Sequence, residues 1–109
     1  MLFHVSSVIF DQDVVISATD SADAKWWFHQ ITGIELDVVA NPFELNSFED
    51  TDCAIDAIGN WWGNYCDYAN GNENISDSEF DRVSRCMHRS YNAVYARMNV
   101  LEVLACNVE

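Results

Sequence analysis

The sequence predicts an α+β domain in which three helices pack on one face of a small, mostly antiparallel sheet of about four strands, in the order ββαβααβ. Apolar residues recur at three- and four-residue spacing in three separate stretches, the signature of amphipathic helices. Short runs rich in Val, Ile and Phe lie outside those stretches and read as strands. Of the 109 residues, 50% are hydrophobic and 13% aromatic, enough for one core and a single domain over 1–109.

Leu2 to Phe10 is rich in β-formers and reads as a strand ending at the turn-like Asp11-Gln12-Asp13. Val14 to Ser17 forms the other arm of a hairpin. Asp20 or Ser21 caps a helix that runs to about Thr32 and stops at Gly33. Ile34 to Ala40 is a third strand, closed by Asn41-Pro42. A second helix starts between Ser47 and Thr51 and continues to about Ala69, where Asn70-Gly71-Asn72 ends it. Ser76 followed by Glu79 fits a capping box opening a third helix to about Met98, and Val100 to Val108 reads as a last strand.

Helical phase then sorts core from surface. In the third helix Phe80, Val83, Met87, Tyr91, Val94 and Met98 share one stripe, with Arg82, Arg85 and Arg89 on the opposite face. Those arginines either pair with carboxylates of this acidic chain or form a local anion-binding patch. In the second helix Ile55, Ile58, Trp62, Tyr65 and Ala69 form the buried stripe. Asp52, Asp56 and Asp67 fall a quarter turn or more away, and Glu49 joins Asp52 and Asp56 in a short acidic ridge. The first helix buries Ala24, Trp27, Phe28 and Ile31. Trp26 then points to solvent or a partner, and Trp61 lies off the centre of its helix's stripe, so both are candidate interface anchors. Trp27, Ile55, Trp62, Phe80, Met87 and Val94 are expected to be buried.

Charge is the largest anomaly: 18 acidic residues stand against 5 basic ones, a net charge of −13. All the acids except Glu102 and Glu109 precede Arg82, and Lys25 is the sole base in that part of the chain. Such density opposes direct contact with nucleic acid or an anionic membrane, because phosphate is repelled over much of the surface. Helix dipoles account for Asp20 and Asp23, for Glu49 and Asp52, and for Asp77, Glu79 and Asp81. They do not account for Asp67, and explain Asp56 poorly. An acidic surplus is left, whose plainest explanations are solubility or a high-salt host.

Catalytic signatures are missing: the sequence contains no GxSxG, HExxH, P-loop or dinucleotide fingerprint. Asp50-Thr51-Asp52 lacks the glycine and closing glutamate of a calcium loop. His4, His29 and His88 are remote in sequence from plausible nucleophiles. No enzyme activity and no cofactor are expected. Cys53, Cys66, Cys86 and Cys106 are scattered without metal-ligand spacing, and Cys86 and His88 would diverge on a helix. Reduced thiols and no metal follow. Without a basic n-region or an apolar run of roughly 20 residues, neither a signal peptide nor a membrane span is expected. The Asn74-Ile75-Ser76 sequon then carries no weight, and the expected compartment is the cytoplasm, the host's if the chain is phage-encoded.

In size and charge the chain resembles the small acidic inhibitors made by phages and mobile elements, including DNA-mimic antirestriction proteins, the uracil-DNA glycosylase inhibitor and several anti-CRISPR proteins. The resemblance is compositional and covers no alignable motif. It implies a basic protein partner, a nucleic-acid-binding enzyme or effector complex, met by carboxylates in place of phosphates. Glu49, Asp52, Asp56 and Asp67, with Trp26 and Trp61, are the expected contact residues. The arginines of the third helix depart from that pattern and restrict the acidity to some faces. A nuclease-toxin immunity protein or antitoxin is the alternative, and an assembly subunit with a solubilising acidic surface is another. A homo-oligomer stays open.

Overall fold

The structure, a computed structural model, describes residues 1–106. Its first element, β1 (Leu2–Ser7), runs antiparallel to β2 (Phe10–Ser17), and Ser7 faces Phe10 across a turn at Val8-Ile9. This corrects the expected turn at Asp11-Gln12-Asp13, which instead lies within β2 with all three side chains exposed. A register irregularity between Val5 and Ser7 shifts the turn, and the Ser7 hydroxyl anchors it by donating to the Leu36 carbonyl at 2.6 Å.

The first helix, α1 (Ser21–Thr32), forms where its caps predict: Asp20 accepts from the Asp23 N–H, and Gly33 closes it at φ 76°. The chain then turns through Leu36-Asp37, with Asp37 at φ 51°, before β3 (Val38–Pro42). The third strand therefore begins four residues later than expected, because a left-handed residue cannot sit inside a strand. It pairs antiparallel with β1 and gives the order β2-β1-β3.

Next, α2 (Phe48–Ala69) starts at the Ser47 cap and ends at Asn70-Gly71. Within the opening of α3 (Asp77–Cys106), Ser76 Oγ accepts from the Glu79 N–H at 3.1 Å. The sheet has three strands, and the order is ββαβαα. The expected final strand is corrected: Val100 to Cys106 continue α3, and residues 107 and 108 lie outside the described residues.

Helix α1 packs against all three strands, whereas α2 and α3 pair with each other and lie against β2. They also seal the outer edge of β2, which an additional strand would otherwise cover. The Trp61 indole N–H donates to the Val15 carbonyl at 2.9 Å, and the Ser90 hydroxyl accepts from the Ser17 N–H at 2.9 Å. Two main-chain groups of an edge strand are thus satisfied by side chains.

The core runs through Val5, Val14, Ile16, Phe28, Ile58 and Val94, all fully buried. Met87 and Val94 are buried as expected, while Trp27, Ile55 and Trp62 are only half-buried. Phe80, expected inside, is 37% exposed and stacks on the outer side of Trp62 and Tyr65. Among the described residues, no helix is long and apolar enough to cross a membrane.

Candidate partner-binding surface

The buried side of α2 is Thr51, Ala54, Ile58, Trp61 and Tyr65. At ~100° per residue, Glu49, Asp56 and Asp67 point within about 20° of one another and about 180° from Ile58, with Asp52 about 60° to one side. All four are exposed. Glu49 to Asp67 spans about 27 Å along the axis at 1.5 Å per residue. The structure thus brings the four expected acids into one stripe opposite the core and extends the short ridge along most of the helix.

Several other acids of the chain have side-chain partners that these four lack. Asp20 and Asp23 accept main-chain N–H groups around the start of α1, and Asp50 accepts from the Asn46 N–H ahead of α2. Asp13 pairs with His4 at 3.2 Å, Glu35 with His29 at 3.1 Å, and Asp81 with Arg85 at 2.6 Å. Among the described residues, the stripe's carboxylates meet no cation and accept no hydrogen bond. Four unneutralised charges on one rigid helix make a line of negative potential.

The two tryptophans expected beside this ridge part company. Trp61 is 2% exposed, held by its bond to Val15, and belongs to the core; its assignment as a partner anchor is corrected. Trp26 is 46% exposed and packs edge-on against Trp27 at 4.8 Å. It borders a shallow depression between α1 and the start of β3 that no residue of α2 lines. The structure therefore does not bring Trp26 to the acidic stripe.

The arginines of α3 divide as well. Arg85 pairs with Asp81 one turn back, and the Arg89 guanidinium lies 5.2 Å from the Trp27 ring centre. Arg97 donates to the Leu45 carbonyl at 2.7 Å. These contacts favour structural roles over an anion-binding patch.

Sequence reasoning missed a cavity of about 500 Å³ on the flank of α2, between the hairpin, the end of α1 and the α2–α3 connection. Phe10, Trp61, Tyr65 and Tyr68 supply its aromatic walls, and Asp11 and Glu79 are the charged residues lining it. Burial, then the nearby Glu79 carboxylate, pushes the Tyr65 phenol above its ordinary range. Asn64 donates to the Gln12 side chain at 2.8 Å, tying α2 to the hairpin beside the cavity. The sequence signal was the polar-aromatic series Asn64, Tyr65, Tyr68, but only the tertiary fold brings Phe10 and Asp11 to it.

Among the described residues, no group of three or more His, Cys, Asp or Glu side chains is placed to hold a metal ion. Cys86 is buried, and burial pushes its thiol up to about 11, so it is a packed core thiol rather than a nucleophile. Compared with known proteins, the chain matches no family model, no curated protein and no solved structure.

Proposed function

We propose that this chain is an acidic protein inhibitor that docks on the basic surface of a nucleic-acid-processing enzyme or effector complex, with α2 standing in for a phosphate backbone. The alignment of Glu49, Asp52, Asp56 and Asp67 along about 27 Å of exposed helix, without a cation beside them, carries this reading. A flexible acidic tail would lose entropy on meeting a basic groove. Carboxylates on a capped helix are already in line, so less ordering opposes binding. Long-range attraction would speed encounter and fade with salt, since exposed charges are screened beyond ~8–10 Å at ordinary ionic strength.

The test is binding to a panel of restriction, CRISPR and toxin nucleases, each offered free and saturated with its nucleic acid. The expected result is association with a panel member that its nucleic acid blocks. The triple variant Glu49→Gln, Asp52→Asn, Asp56→Asn should associate about tenfold or more slowly at low salt, with a flatter salt dependence. Equal association rates for the wild type and the triple variant, or undiminished binding to the saturated enzyme, would overturn the proposal.

A further inference from the structure

We infer that the cavity beside α2 is a guanidinium pocket that receives an arginine side chain of the partner. This deepens the inhibitor reading and rests on it for the source of the arginine. The cavity has the mixed character such a group needs. Phe10 and Tyr68 offer accessible aromatic surface over a floor formed by the buried Trp61 and Tyr65, and a guanidinium, planar and weakly hydrated, stacks on such faces where a compact ammonium stays hydrated. Asp11 and Glu79 provide carboxylate acceptors for its fork of N–H donors.

Neither carboxylate has an ion-pair partner among the described residues, and no Lys, Arg or His lines the cavity. Arg82 shares a separate, narrow crevice with Glu79 but makes no ion pair with it. At about 500 Å³ the space is in the range of specific ligand sites and exceeds a single side chain, so main chain flanking the arginine would enter with it. The walls are also pre-set. Trp61 is pinned to Val15, and Asn64 to Gln12.

Position supports a partner's arginine over a free small molecule. On α2, Asn64 points about 60° from Glu49 and Tyr68 about 100°, so these two lining residues stand on the flank of the helix beside the acidic stripe. A basic surface laid along the stripe would bring an arginine to the opening. The stripe would supply attraction without geometric demand, and the pocket would supply the geometry that distinguishes arginine from lysine.

The probes are Nα-acetyl-arginine amide and its neutral isostere Nα-acetyl-citrulline amide, titrated into 15N-labelled full chain and followed by amide and indole shifts. The arginine probe should shift Trp61, Asn64 and Tyr68 saturably and bind at least tenfold more tightly than citrulline. Asp11→Asn with Glu79→Gln should erase that preference while leaving the spectrum folded, since neither side chain carries a structural bond and the Glu79 main-chain cap is kept. The stripe variant should bind the probe as the wild type does. Equal affinity for the two probes, or arginine shifts spread along Glu49 to Asp56 and lost only in the stripe variant, would overturn the pocket. Because the probes need no partner, a pocket that binds arginine survives failure of the inhibitor reading, and the inhibitor reading survives an empty pocket.

Discussion

Trp61 and Trp62 stand about 100° apart on α2, and either could face the core on periodicity alone. The Ile55, Ile58, Trp62, Tyr65 series looks more apolar than Thr51, Ala54, Ile58, Trp61, Tyr65, yet the latter is buried. Small residues at 51 and 54 let α2 come close, and Gly59 meets α3 so tightly that a Cβ there would lie 3.3 Å from the Tyr91 hydroxyl. The rotation brings the Trp61 N–H to the Val15 carbonyl. Trp61→Phe, which strands that carbonyl, should cost about 1–3 kcal/mol, and Trp61→Ala about 3–5. Trp26→Ala should stay within about 1 kcal/mol. Urea unfolding measures all three, and equal losses at Trp26 and Trp61 would contradict the packing. Which indole is inside was illegible in the sequence because the deciding acceptor sits 46 residues away. Cys86 offers a second test. Burial raises its pKa from 9.0 to about 11, so below pH ~9 both folded and unfolded chains hold the proton. Above that the unfolded chain releases it first, and stability falls as pH climbs toward 11, by up to about 2–3 kcal/mol. Tyr65 and Tyr91, also raised by burial, act in the same direction. The readout is therefore a shallower stability-versus-pH slope in Cys86→Ala than in the wild type.

At the scale of elements, what local chemistry specifies was legible. Asp20, Gly33, Ser47, Gly71 and Ser76 each sit at the helix end they mark, although of the expected Ser76–Glu79 box only the Ser76 half forms. What tertiary contacts specify was not. Val100 to Cys106 carries the β-branched pattern of a strand, but a helix already propagated from Asp77 extends one hydrogen bond per residue without new nucleation. An added strand would also meet an edge of β2 at which Trp61 and Ser90 already hold the Val15 carbonyl and the Ser17 N–H. Carbon-13 secondary shifts of Val100–Cys106 should therefore be helical; extended values there would overturn the assignment. Packing grades along the same helix. Val94, fully buried in the core, should lose about 2 kcal/mol on truncation to Ala, whereas Val103→Ala, farther along the helix at an exposed site, should stay within about 0.5. The acidic stripe was legible in part for a related reason. Charge at spacings of three and four marks a solvent face from sequence alone, so Glu49, Asp52 and Asp56 read as one ridge and Asp67 as off the buried stripe of the same helix; its alignment with Glu49 became plain once the buried side was fixed at Ala54, Ile58 and Trp61 rather than Ile55 and Trp62.

Across the whole molecule the question is whether −13 is balanced internally or left standing. The described ion pairs engage only Asp13, Glu35 and Asp81, two of them with histidines, and Arg89 and Arg97 spend their charge on an indole face and a carbonyl. Repulsion among the remaining carboxylates therefore opposes the compact state, which holds them closer together than the unfolded chain does. Salt then has a definite sign. Were internal ion pairs the dominant electrostatic term, added salt would screen attraction and lower stability. With repulsion dominant, raising NaCl from about 20 mM to about 500 mM shortens the screening length from tens of ångströms to a few, and the folded state gains. We expect a gain of about 1–2 kcal/mol, read as a rising thermal midpoint. The Glu49→Gln, Asp52→Asn, Asp56→Asn variant should start higher than or level with the wild type at low salt, the lost dipole support of Glu49 offsetting part of the relief, and should gain less as salt is added. A falling midpoint would mean the acids are paired at home, leaving no free line of charge to offer a partner. A variant with the full wild-type salt response would place the repulsion elsewhere and remove the α2 stripe from its special position.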